Sequence, residues 1–122
     1  MSYRDLCEIK ELVGKTLIAV TNQGDERIVF ETNNETFTMY HEQDCCENVR
    51  VEEIIGDLKD LVESPILHAE EVSSTATEVS ESGTWTFYKI ATIKGSVTIR
   101  WLGESNGYYS ESVYFCRVFH GN

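Results

Sequence analysis

The stretch Thr84–Glu111, TWTFYKIATIKGSVTIRWLGESNGYYSE, decides the fold class. Trp85, Phe87, Lys89 and Ala91 set one face of a run, and Thr86, Tyr88, Ile90 and Thr92 set the other. After Lys94-Gly95 the alternation resumes, with Val97, Ile99 and Trp101 against Thr98, Arg100 and Leu102. A period of two is the period of a strand, because successive side chains leave a strand on opposite faces. Lys94-Gly95 reads as the reversal between two antiparallel strands. Asn106-Gly107 reads as a second hairpin turn, over Ser105–Tyr108, because Asn-Gly suits turn positions that need positive φ.

Working outward, Lys15–Asn22, Glu26–Thr32 and Glu35–Glu42 are three strand-like runs divided by Gln23-Gly24-Asp25 and Asn33-Asn34, the turn chemistry of a meander. In the third run Phe37, Met39 and His41 share a face, so His41 is expected to point with the core residues. Val49–Val51 is a short strand, and Ile66–Val72 and Ser110–Phe119 alternate again. Ser73–Gly83 has the Ser/Thr/Glu composition of a solvated loop or a mobile strand extension. Ser2 and Asp5 resemble a capping pair, after which Leu6, Ile9, Leu12 and Val13 recur at helical spacing up to Gly14. Leu58, Leu61 and Val62 fit about two turns of helix closed by Ser64-Pro65. The expectation is one domain over residues 1–122, of the α+β class and β-rich. Its sheet would be a strongly bent antiparallel sheet or partial barrel, with an N-terminal helix and one short internal helix. An open sheet keeps edge strands, and with aromatics on its last hairpins it is expected to pair with copies of itself as a homo-oligomer.

Ten basic residues face twenty-one acidic ones, a net charge of -11 in 122 residues. That balance repels phosphate backbones and anionic lipid at long range, so direct nucleic-acid binding is not expected. A small anion can still be held by one or two arginines, because salt screens the remaining charge within about 8 Å. No apolar run approaches the ~20 residues a bilayer crossing needs, and Met1–Leu12 lacks the pattern of a signal peptide. A cytoplasmic location without membrane attachment is the expectation. Cys7, Cys45, Cys46 and Cys116 lack the spacing of a disulfide framework, so free thiols are expected.

The densest polar cluster is His41-Glu42-Gln43-Asp44-Cys45-Cys46-Glu47. Its residue types suit a metal, but its spacing does not, and nothing near Cys45 and His41 supplies an oxyanion hole for thiol catalysis. A strand-end turn with one buried thiol is the plainer reading. Glu52-Glu53 and Glu70-Glu71 are adjacent on strands and so face opposite ways, which forms no acid–base dyad. The scattered glycines make no phosphate loop. No metal, cofactor or catalytic residue is therefore assigned. Trp85, Phe87, Trp101, Tyr108 and Tyr109 offer faces on which a planar base can stack, Arg100 a fork for a phosphate, and Asn106 a reader of a base edge. Core placement competes with this for Trp85, Phe87 and Trp101. Arg100, between Ile99 and Trp101, must either pair with a carboxylate such as Glu111 or present its guanidinium to a ligand.

Taken together, HEQDCCENVRVEEIIGDLKDL (His41–Leu61), SPILHAEE (Ser64–Glu71), TWTFYKIATIKGSVTIRW (Thr84–Trp101) and GESNGYYSESV (Gly103–Val113) resemble a group of small phage and prophage proteins. The group resembles in turn the first type of Thoeris anti-defence protein. That resemblance implies a non-enzymatic sponge, which binds without cleaving the cyclic ADP-ribose isomer made by a bacterial TIR-domain enzyme. The contacts it leaves as candidates are Trp85, Phe87, Arg100, Asn106, Tyr108 and Tyr109. The competing reading is an acidic DNA mimic that occupies a host nuclease or nucleic-acid-binding defence protein through residues such as Glu52, Glu53, Glu70 and Glu71.

Overall fold

The computed structural model describes residues 5–79 and 81–120. Among the described residues nine strands form in chain order: β1 (Asp5–Leu6), β2 (Ala19–Gln23), β3 (Arg27–Glu31), β4 (Glu35–Tyr40), β5 (Asn48–Ile55), β6 (His68–Thr75), β7 (Ser82–Thr92), β8 (Gly95–Ser105) and β9 (Tyr114–Phe119). They make two antiparallel sheets, a five-stranded one ordered β1-β9-β4-β3-β2 and a four-stranded one ordered β5-β8-β7-β6. The β-rich expectation holds. In place of one bent sheet or partial barrel there are two separate sheets facing each other, and neither closes.

The meander β2-β3-β4 forms as its turn residues require, with Gly24 and Asp25 at φ 65° and 62° between the first two strands. The β7–β8 hairpin also forms, its register running from Thr92↔Gly95 to Ser82↔Ser105. The second expected hairpin does not. β8 lies between β5 and β7, whereas β9 pairs with β4 and β1, so Asn106-Gly107 carries the chain from one sheet to the other. Of the two turn residues only Gly107 takes positive φ, at 96°, and the Tyr108 N–H donates to Asn106 Oδ1 at 3.0 Å.

Among the described residues the only helical elements are two four-residue 3₁₀ turns, Ile9–Leu12 and Leu58–Leu61. The expected N-terminal helix is absent over Asp5–Gly14, where Asp5 and Leu6 instead pair with Arg117 and Cys116 of β9. The Ser2 cap lies outside the described residues. Spacings of three, Ile9 to Leu12 and Leu58 to Leu61, satisfy a 3₁₀ repeat as well as an α repeat, and Ile9, Leu12 and Leu61 are buried. Asp57 caps the second turn by accepting from the Lys59 N–H at 2.9 Å.

Between the sheets lies one apolar cluster, with Ile28, Phe30, Phe37, Met39 and Phe115 from the first sheet and Val51, Tyr88, Ile90, Ile99 and Trp101 from the second. Phe37 stacks on Phe115 with centroids 5.5 Å apart, and the Trp101 indole N–H donates to Met39 Sδ at 3.1 Å. The inward faces are therefore Thr86/Tyr88/Ile90/Thr92 on β7 and Val97/Ile99/Trp101 on β8. Trp85, Phe87, Lys89 and Arg100 are left on the outside of the second sheet.

Gly56, at the end of β5, has φ 108°, and a Cβ there would sit 2.6 Å from the Ser96 carbonyl oxygen. Gly14 also has positive φ (88°) but open space around it. Gly14→Ala is expected to cost about 1 kcal/mol of backbone strain. Gly56→Ala is expected to cost more, by an amount urea titration of both variants measures as the backbone clash. Equal midpoints would mean that the sheet yields at Ser96.

Candidate functional site: an aromatic and arginine plate on the second sheet

The Lys94-Gly95 turn sets the register of β7 against β8, and this places Phe87 opposite Arg100 and Trp85 opposite Leu102. All four side chains point away from the core. Trp85 and Phe87, two residues apart on one face, stack with centroids 5.9 Å apart and planes 14° from parallel. The Arg100 guanidinium carbon lies 4.6 Å from the Trp85 ring centroid and 5.7 Å from that of Phe87. A cation over two ring faces is held by their negative quadrupoles, the more firmly the less water reaches it. The Trp85 N–H donates to Glu78 Oε1 at 3.2 Å, and this bond holds the Glu78 carboxyl below its ordinary range.

Arg100 also forms an ion pair with Glu53, its neighbour on β5. Its carboxylate partner is thus Glu53 and not Glu111. Glu111 is used elsewhere: it accepts from Thr84 Oγ1 at 2.7 Å and from Ser105 Oγ, which ties the segment after β8 back to the second sheet. Two further cations share the outer face with Arg100. Lys89 stands two residues along β7 from Phe87, and Arg50 on β5 bonds Glu104 at 2.5 Å. Planar faces, one guanidinium and an ammonium within a few strand positions match the chemistry of a nucleotide's base and phosphates.

The structure brings together Trp85, Phe87 and Arg100 but not the other three candidates. Asn106, Tyr108 and Tyr109 lie on the crossing between sheets, and no hydrogen bond or ring contact joins them to the plate. Asn106 spends its carbonyl oxygen on the Tyr108 N–H, and the Tyr108 side chain is 91% exposed. Trp101, also weighed as a stacking residue, is fully buried.

The cluster after β4 is a second built feature. His41 and Glu47 side chains are 2% and 1% exposed and meet at 2.8 Å between Nε2 and Oε2. His41 Nδ1 faces the Ser112 carbonyl oxygen at 2.7 Å, and its ring stacks on Tyr114. Glu47 also accepts the Asp44 and Cys45 N–H groups at 2.9 and 3.0 Å. Bonding to His41 outweighs burial and, with those backbone donors, holds the Glu47 carboxyl down to about 2. Each ring nitrogen of His41 thus faces an oxygen, a carboxylate on one side and a backbone carbonyl on the other. The His41 side chain is buried, but beyond the end of β4 and against Tyr114, whose strand partner is Tyr40, rather than with Phe37 and Met39 as its alternation suggests; its partner Glu47, six residues on, carries no sequence pattern. Cys45 and Cys46 are joined by a disulfide and are exposed, which corrects both the free-thiol expectation and the buried thiol of the turn. Cys7 and Cys116 form no disulfide.

Two open clefts flank this loop. The larger, about 600 Å³, is lined by Tyr40, Tyr114 and the acidic Glu42, Asp44 and Glu47. The other, about 440 Å³, includes Glu47, Glu81, Glu104 and Asn106. Neither is lined by a Lys or Arg, so neither is suited to an anion. Among the described residues no group of three or more His, Cys, Asp or Glu side chains is arranged to hold a metal ion, and no helix is long and apolar enough to cross a membrane.

No curated protein and no solved structure matches the chain. The profile of one family, described as a domain of unknown function (DUF7448), matches residues 10–115, and the chain belongs to that family.

Proposed function

We propose that the protein is a non-enzymatic, phage- or prophage-encoded binder of the host cytoplasm that sequesters a nucleotide second messenger of the cyclic ADP-ribose type, as the sponge resemblance implies. The observation that carries this reading is the Trp85–Phe87 stack with Arg100 across it on the solvent side of a sheet, where aromatics of this size are usually core. Adenine stacks on the exposed ring surface, the diphosphate takes the guanidinium and Lys89, and Glu53 and Glu78 stand beside them for ribose hydroxyls. Sequestration asks for no base or nucleophile, only for this plate.

Glu53 competes with the phosphate for Arg100, which gives the proposal a signature. Arg100→Ala is expected to weaken binding about 10- to 150-fold, the loss of a charge-assisted hydrogen bond worth about 1.5–3 kcal/mol. Glu53→Gln, by freeing the guanidinium, is expected to tighten it. Thermal unfolding against cyclic ADP-ribose isomers and other nucleotides, with chromatography of whatever heating releases, reads both. Ligand at 100 times its Kd stabilises by about 2.7 kcal/mol. Intact released ligand supports a sponge, an altered product means an enzyme, and no shift across the panel removes the reading. A DNA mimic would need its carboxylates along one face. Glu52 and Glu53 instead lie on β5 and Glu70 and Glu71 on β6, opposite edges of the sheet with Arg100 and Lys89 on the strands between them. Neutralising those four should abolish a mimic's activity and leave Arg100→Ala silent.

A further inference from the structure

The second sheet ends on β6, and among the described residues no strand pairs with its outer edge. The opposite edge, β5, is interrupted by a bulge between Val51 and Glu53 and gives its Val51 N–H to the Asp25 carbonyl at 2.8 Å. β1 has two residues and β2 five. β6 has eight, with no bulge in its register from His68↔Ala91 to Thr75↔Thr84, and no proline or lysine within it. Of the devices by which edge strands ordinarily avoid pairing, β6 lacks the bulge, the proline and the lysine; its charges, Glu70 and Glu71, stand side by side in its first half. The first 3₁₀ turn stands near its first half without sealing it, since a cleft of about 490 Å³ remains between Glu8–Lys10 and Ala69–Glu71.

The ladder phase says which backbone groups are free. Just past the strand, the Ala76 N–H donates to the Gly83 carbonyl at 2.9 Å. With an unbroken antiparallel register, the even-numbered residues of β6 therefore turn N–H and C=O toward β7. Ala69, Glu71, Ser73 and Thr75 turn theirs outward.

We infer that β6 pairs antiparallel with β6 of a second copy of this chain, on a two-fold axis through Val72. The sequence of the strand is self-complementary about that residue. Glu71 falls opposite Ser73 of the other copy, Glu70 opposite Ser74 and Ala69 opposite Thr75, so each carboxylate meets a hydroxyl. An axis through Glu71 would oppose like charges, and so would parallel pairing in register. The phase also fits: Glu71/Ser73 and Ala69/Thr75 become hydrogen-bonded pairs, and Val72 meets Val72 as a non-hydrogen-bonded pair with close side chains. Val72 is apolar and 40% exposed on the outer face, opposite Phe87 on β7. Pairing covers it and joins two four-stranded sheets into one of eight. A C₂ interface must be complementary to itself, and this strand is. The inference does not depend on any ligand.

Sedimentation or light scattering across a concentration series tests it. The wild-type chain is expected at twice its 13.9 kDa mass, with association strengthened by salt because each copy carries -11. Ser73→Pro removes an outward N–H and leaves the β6–β7 ladder intact, so it is expected to halve the apparent mass with an unchanged circular dichroism spectrum. Val72→Lys, which puts two like charges on the axis from a solvent-facing position, is expected to do the same and decides the case if the proline variant fails to fold. A wild-type monomer at every concentration overturns the proposal. So does a dimer that survives Val72→Lys, which would place the contact elsewhere.

Discussion

Trp101→Ala is expected to destabilise the domain by about 3–5 kcal/mol, while Trp85→Ala costs about 0.5–1.5 kcal/mol. The two tryptophans sit on adjacent strands of one hairpin and differ in which way they face. Trp101 is fully buried against the opposite sheet, its N–H on Met39 Sδ, so truncation leaves a cavity in a close-packed layer that both sheets would have to collapse to fill. Domains of this size are stable by about 5–15 kcal/mol, so the loss takes from about a fifth to all of that, and the melting temperature falls on the order of 10–20 °C. Trp85 loses a stack with Phe87 and a cation over its ring, both half in water. In nucleotide titrations the order inverts: Trp85→Ala loses ligand, and Trp101→Ala, at temperatures where it is folded, retains it. Equal losses of stability in urea titrations of the two variants would mean that Trp85 is part of the core.

That contrast marks how far the sequence carries. Composition alone misleads on β7, whose outward residues Trp85 and Phe87 are larger and more apolar than the inward Thr86 and Thr92. The resolution lies on β8, where Val97, Ile99 and Trp101 outweigh Thr98 and Arg100, and in the tight turn at Lys94-Gly95 that pairs Phe87 with Arg100. Alternation together with turn register thus holds the plate within reach of a reader who combines them. Asn106-Gly107 is different. Its turn chemistry says where the chain bends and nothing about which strand receives it, and that choice is made by β4 and β1 across 70 to more than 100 residues. The helices were over-read because Ile9/Leu12 and Leu58/Leu61 repeat at three, a spacing common to both helix types. The bond between His41 and Glu47 has no sequence pattern behind it, because a loop's path decides whether the two meet.

The His41–Glu47 pair is expected to give the protein a stability that depends on acid. Glu47 titrates at about 2 in the folded chain against an ordinary 4.5, so between these values the unfolded chain binds the proton more readily. Its contribution is therefore complete above pH 4.5 and is lost as the pH falls toward 2. Glu47→Gln should melt well below the wild type at neutral pH, and the gap should close steadily as both are taken through that window. An internal comparison comes from the second His–Glu pair. His68 and Glu70 meet at 2.7 Å but are 55% and 44% exposed, and exposed ion pairs are worth about 0–1 kcal/mol. His68→Ala should accordingly change little, whereas His41→Ala strands a buried carboxylate, frees the Ser112 carbonyl, and releases the loop that carries Cys45 and Cys46. Melting curves of the wild type, Glu47→Gln, His41→Ala and His68→Ala from neutral pH to pH 2 separate these effects. Parallel wild-type and Glu47→Gln curves would show that Glu47 does not gain its charge from this site, and an equal effect of the two histidine variants would show that burial is not what gives the pair its strength.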